Sequence, residues 1–445
     1  MADAIGEMMS ETSRLTRQTL LESFESYGTP RGTWLVGGEF ERTVVRPDGR
    51  PVGYFDPDGI RFILEEIAKR DDWAPVYEGE HIIALAKGKA TVTLEPGGQV
   101  ELSGSPHDNL TDLGKEMRQS RQLLLDISEG RPLRWIAAGL TPFTPIDQIE
   151  FVPKSRYVVM REYLPQYGHL AHYMMKGTTA VQASFDYADE KDCAQKVRLA
   201  SRLAPLTIGL FANSPLLEGK DTGYASYRAH VWRHTDPART GLPPALRDQY
   251  THEAWLDYLL DVPMMFVHQG DRYVPANGAT FRSFVEDGFE GRYPNAHDWE
   301  LHQTSVFPEV RIKRTIEVRG ADCVNHHLAM SFCALFTGLF YCRQAKDEAL
   351  KLADELFAAG EPHEMLEAAA RAGLDAKVGK RTLADWASDL GDIAERGLNN
   401  CLPGDLHLLE PLLENIEDGR CPADQFREAF ERDPSPANVL SAIAY

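Results

Sequence analysis

Positive charge is in short supply in this 445-residue chain: Lys and Arg number 47 against 67 Asp and Glu, a formal net charge of −20. That deficit excludes a general binder of phosphate backbones, which needs a basic face. It leaves room for a nucleotide held in a local basic pocket or through a metal. Long hydrophobic runs are missing too. No stretch reaches the ~18 apolar residues of a membrane-spanning helix, so no membrane partner is expected. The opening MADAIGEMMSETSRLTRQ lacks the apolar segment of a secretory signal. Cysteine is scarce and scattered: Cys193, Cys323, Cys333, Cys342, Cys401 and Cys421 form no CxxC pair. They read as reduced thiols of a cytoplasmic protein. Also absent are HExxH, GxxxxGK[ST], a strand–GxGxxG–helix unit and GxSxG. Zincin, P-loop, Rossmann and hydrolase-elbow chemistry therefore lack support.

What is present is an ordinary globular composition, 43% hydrophobic and 26% charged, long enough to bury a core without disulfide or metal staples. Residues 10–27 predict a polar helix capped by Thr12 or Ser13, and 33–45 predict a strand. A helix is expected over 59–69, a meander over 81–103 turning at PGG, and a helix over 107–129. Strands follow at 133–143 and 178–187, then a helix over 189–212, a loop-rich stretch over 218–247 and a helix over 252–261. A long strand spans 308–319, and beyond about 326 the pattern is helical. Strands first and helices last, without βαβ alternation, predict an α+β fold with an antiparallel sheet.

Three segments carry acids where a sheet gains nothing from them. Glu39 and Glu41, two apart on one strand, share a face and repel each other unless a cation sits between them. Glu95 and Glu101 flank the PGG turn of LEPGGQVELSG, where a hairpin would turn both to one side. In TIEVRGAD, Glu317 and Arg319 share a strand face, with Arg311, Lys313 and Arg314 just before them. Oxygen-only sets of this kind suit Mg²⁺ or Mn²⁺, not zinc. Arginines recur among aromatics in SRYVVMREYLP and GYASYRAHVWRHTDPARTG, including Arg156, Arg161, Arg228 and Arg233. Their forks suit carboxylates. Each pattern also has a bland reading, as solvated acids or surface ion pairs.

The collinear segments GGEFER, IIALAKGKATVTLEPGGQVELSG, SRYVVMREYLP, LFANSPLLEG, DVPMMF and FPEVRIKRTIEVRGAD resemble the plant and proteobacterial type of glutamate–cysteine ligase, over roughly residues 30–345. The resemblance implies a glutamine-synthetase-like antiparallel sheet flanked by helices. It implies a catalytic part over 1–345 and a helical region over 346–445 packed on it. The implied reaction uses ATP and Mg²⁺ (or Mn²⁺) to form γ-glutamyl phosphate from L-glutamate, which an amino-acid amine then captures. By the same resemblance Glu39, Glu41, Glu95, Glu101 and Glu317 hold metal, and Gln182 makes a metal or substrate contact. Arg156 and Arg228 hold the glutamate α-carboxylate, while Lys313 and Arg319 serve the phosphates. No nucleic acid is involved, and a monomer or homodimer is expected. Where the family usually shows DVPMYF this chain has Met265, and where it shows RGADGGPWRRL this chain has RGADCVNHHL. Cysteine is the default acceptor. The departures leave open a small apolar amino acid such as propargylglycine. A guanido-kinase-like reading would need a reactive thiol, and only Cys323 lies near a site segment.

Overall fold

Alternation along VGGEFERTVV turns one face of β1 (Val36–Val45) into the core and leaves the other only half covered. In this computed structural model, which describes residues 14–445 except 71 and 271, β1 lies centrally in a mixed-length sheet. The other strands are β2 (Ala74–Glu78), β3 (His81–Lys87), β4 (Ala90–Leu94), β5 (Val100–Ser103), β6 (Arg134–Ile136), β7 (Ala180–Phe185), β8 (Val310–Ile312) and β9 (Ile316–Asp322). They run in the order β8–β9–β7–β1–β5–β4–β3–β2, with β6 paired to the end of β1. Each of these pairings is antiparallel. The expected α+β class and antiparallel sheet are what the chain forms.

Helices cover the core face. The Leu110–Ser128 helix and the His326–Tyr341 helix both pack on β1. The second is buried from Leu328 to Phe340, because the sheet lies on one side of it and the Leu383–Cys401 helix on the other. A single apolar cluster takes in Phe40 and Phe185 of the sheet, Phe332 and Leu335, and Leu390 and Leu398. No helix among the described residues is long and apolar enough to cross a membrane.

Several elements differ from the sequence reading, each for a local reason. The expected 308–319 strand is a hairpin: the Lys313 N–H bonds the Thr315 carbonyl at 3.1 Å and reverses the chain between β8 and β9. The 189–212 helix is two helices, Glu190–Arg202 and Ala204–Leu210, because Pro205 is tolerated only in a first turn. The loop-rich 218–247 stretch contains the helix Tyr227–Arg233, capped by Ser226. The apolar 133–143 segment forms a strand only over Arg134–Ile136, with a further isolated bridge from Leu140 to Thr178. The N-terminal helix is Arg17–Glu25, capped by Thr16. Positions 10–13, with the expected caps Thr12 and Ser13, lie outside the described residues. β2, an exposed edge strand, escaped the sequence reading.

Candidate active site

The half-covered sheet face floors a cleft of ≈ 360 Å³. Strand register decides which acids meet there. Glu41 stands opposite Glu101 on β5, and Glu39 stands between Ser103 on β5 and Gln182 on β7. Glu95 follows β4, where its N–H bonds the Gln99 carbonyl at 2.9 Å and closes the PGG turn. All four carboxylates line the cleft, as do Gln182, Arg156, Lys313, Arg319 and Met265.

Electrostatics here are strained in one direction. Burial first, then the charges of Glu317 and Glu101, push the Glu39 carboxyl up to about 8. Burial, Glu95 and Glu101 push Glu41 well above the carboxylate range, despite hydrogen bonds from the Ala180 N–H at 2.7 Å and Gln182 Nε2 at 3.2 Å. Glu101 is raised by burial and Glu95, although Thr93 and Ser103 hydroxyls donate to it at 3.1 and 3.0 Å. Burying like charges in one cavity destabilises the ionised forms unless a counter-charge joins them.

The cations arrive on two elements. The β8–β9 hairpin brings Arg311 opposite Glu317, which it grips with both nitrogens at 2.6 and 3.0 Å. Burial alone would raise Glu317, but Arg311, Lys313 and Arg319 outweigh it and hold its carboxyl below the usual range. A register shift between Val318 and Ala321 re-aims Arg319, which donates to Gln182 Oε1 and, at 3.2 Å, to Glu317. On the far wall, Lys154 and Arg156 enter at the start of the Ser155–Tyr163 helix. Lys154 Nζ donates to the Leu94 carbonyl at 2.8 Å, and burial pulls its pKa down to about 8. Arg156 donates to the Tyr157 hydroxyl at 3.2 Å and keeps a buried Nε with no acceptor.

Two residues assigned by resemblance sit beneath the cleft instead of lining it. Glu317 is 1% exposed and engaged by Arg311 and Arg319. Arg228 faces Asp322 at 3.7 Å and donates to the Arg319 carbonyl at 3.2 Å. Its geometry is that of a support for Arg319. Of the other arginines singled out, Arg233 pairs with Glu367 at 2.6 Å, and Arg161 lines a neighbouring groove. Lys154 and Arg311 are site residues that the sequence reading did not assign; Arg311 was noted only as a neighbour of Glu317. The remaining wall is apolar, with Met174, Trp232, Met265, Phe266 and Phe307. Cys323 lies behind β1 with its Sγ on the Glu41 carbonyl at 3.3 Å, and burial raises its thiol, so it is no exposed nucleophile.

Carboxylates with raised proton affinity beside crowded guanidinium and ammonium groups define a site for joining anionic substrates, and the antiparallel sheet is that of a carboxylate–amine ligase. The model of glutamate-cysteine ligase family 2 matches residues 35–440, and the chain belongs to that family. It is 34% identical over 431 residues to glutamate–cysteine ligase B, chloroplastic, of Oryza sativa subsp. japonica, covering 96% of this chain and 86% of the relative. It is likewise 34% identical over 432 residues to the chloroplastic enzyme of Arabidopsis thaliana, covering 95% and 81%. The fold matches the crystal structure of a Francisella tularensis glutamate–cysteine ligase in complex with AMP, with a TM-score of 0.58 at 14% identity over 92% of this chain and 87% of that one.

Proposed function

We propose that this chain joins the γ-carboxyl of L-glutamate to the amine of L-cysteine, driven by ATP, through γ-glutamyl phosphate. The observation that carries this reading is the meeting of four carboxylates with Lys313, Arg319, Lys154 and Arg156 in one cleft. The matched relatives are named for cysteine, and nothing favours the apolar acceptor over it.

The all-oxygen donor set Glu39, Glu41, Glu95 and Glu101 fits Mg²⁺ or Mn²⁺. Among the described residues no three acidic, histidine or cysteine side chains form a ready cage. The fit therefore rests on donor chemistry and on the raised proton affinity of Glu39, Glu41 and Glu101, which a cation would reverse. Such an ion, when bound, supplies charge that lets the ATP phosphates approach the acids. Lys313 and Arg319 would stabilise the charge that develops on the transferred phosphoryl group. The unpartnered Arg156 Nε suits a substrate carboxylate. The glutamate γ-carboxylate attacks the ATP γ-phosphorus and ADP leaves. The acceptor amine then attacks the acyl carbon, phosphate departs, and the amine sheds a proton. Met265, Phe266 and Phe307 keep water from the acyl phosphate.

We also propose a cytoplasmic setting, in which the six thiols stay free as they are here. The test of the reaction is ADP release with glutamate, Mg²⁺ and a panel of amino acids, with mass spectrometry of the product. Cysteine-dependent release and γ-glutamylcysteine are expected. ADP release indifferent to cysteine, or strongly favoured by another amino acid, would overturn the assignment.

A further inference from the structure

A second and larger cavity, ≈ 650 Å³, lies on the opposite face of the same sheet, within the ~300–1,000 Å³ typical of small-molecule sites. Its floor is Phe40, Val92, Val100 and Leu102, the alternate residues to those that face the cleft. Trp73 and Leu123 wall it. At its base sits Arg42, 2% exposed. One nitrogen, Nη1, donates to the Glu41 carbonyl and to Cys323 Sγ at 3.3 Å. The Tyr445 ring covers the guanidinium at 3.9 Å. Nε and Nη2 are buried without an acceptor; Tyr445 and Cys323 are the groups that offset the charge, and among the described residues no acidic side chain forms an ion pair with Arg42. A buried cation with two idle donors is costly, and an acceptor that completes the fork removes that cost.

We propose that this back-face cavity binds a small amphipathic monocarboxylate. Its acid completes the Arg42 fork, with Tyr445 shifting to admit it, and its apolar body lies along Leu102, Trp73 and Leu123. Charge in the rest of the lining selects for one negative charge. Asp112, Glu116 and Asp126 line the cavity with Lys87 and Lys115, so away from Arg42 the acids outnumber the lysines and a polyanion would meet repulsion there. The site lies behind β1, on the opposite face of the strand from the ligase cleft, with Arg42 bonded to the Glu41 carbonyl between them.

Titration calorimetry of the full chain with octanoate tests this. One saturable site is expected, with octan-1-ol at least tenfold weaker because it cannot ion-pair with the guanidinium. Arg42→Met should weaken octanoate at least tenfold. Leu123→Trp, on the helix wall, should narrow the apolar part of the cavity and weaken octanoate at least tenfold while leaving the fold intact, so the test survives if Arg42→Met fails to fold. Glu101→Gln, in the front cleft, should leave octanoate binding unchanged. Equal binding of the alcohol, full binding to Leu123→Trp, or loss of binding in Glu101→Gln would each overturn the proposal.

Discussion

Glu101 is where chemistry and folding separate most cleanly. Its carboxylate repels Glu95 and Glu41, and the Ser103 and Thr93 hydroxyls and the Lys154 charge compensate only in part. Replacing it with Gln keeps the shape and removes a repelling charge. Glu101→Gln should cut Mg²⁺-dependent ADP release by about 100-fold or more while leaving Tm unchanged or slightly higher. Wild-type turnover in this variant would remove Glu101 from the site. Glu39 gives a second expectation through pH. Its folded pKa of about 8 lies above the ordinary 4.5, so the folded state binds the proton more tightly than the unfolded chain. The stabilisation is complete below about 4.5 and is lost as pH rises through about 8. In EDTA, Tm should therefore fall across that window; with Mg²⁺, which favours the ionised acids, the slope should flatten. Identical slopes with and without Mg²⁺ would count against a cation among these carboxylates. The strand acids were legible in the sequence because period two is simple: Glu39 with Glu41, and Glu95 with Glu101 across PGG, do reach one cleft.

Reversal of the chain was not legible at the element scale. Lys313, Arg314 and Thr315 contain neither Gly nor Pro, so the alternation from Pro308 to Arg319 reads as one strand. The fold there sets Arg311 across from Glu317 instead of six residues along from it. That hid the bidentate pair, and with it the role of Arg311. Arg228 was assigned by motif, but a buried acid from another element, Asp322, sits beside it, and that partner is invisible without the fold. The PGG turn is the element whose residues were read correctly and whose tolerance can be tested. Gly98 has φ +88 and needs no Cβ there. A Cβ on Gly97 would overlap the Lys176 carbonyl oxygen, a backbone atom with little freedom to yield. Gly97→Ala should cost roughly 1–3 kcal/mol by overpacking and lower turnover further by moving Glu95. Urea unfolding and ADP release measured together check this; unchanged stability with normal turnover would show that the turn shifts freely.

At the scale of the whole molecule, the question is whether residues 346–445 form a separable region or part of the body that carries the cleft. Two contacts argue for the second. The His326–Tyr341 and Leu383–Cys401 helices cross at Gly338 and Gly397, where a Cβ on Gly338 would stand 2.5 Å from the Ala394 carbonyl oxygen, and a Cβ on Gly397 would overlap the Gly338 carbonyl oxygen. Backbones this close leave no room for even a methyl group. Nearby, buried Asp192 bridges Lys196 at 2.9 Å and Lys346, tying the Glu190–Arg202 helix to Arg343–Ala358. Lys196 also lies over the Trp34 ring at 3.6 Å, just before β1. Removing the shared acid leaves two buried ammonium groups facing each other, so Asp192→Asn should destabilise by about 3–5 kcal/mol. Lys346→Met removes one charge and keeps the acid paired, and should cost less. A chain ended at residue 345 loses the partner helix of a segment buried from Leu328 to Phe340. It should be insoluble or lack a cooperative thermal transition. A soluble, cooperatively melting 1–345 fragment would instead make the helical region a separate folding unit, and Asp192→Asn would then have to act within the first 345 residues alone.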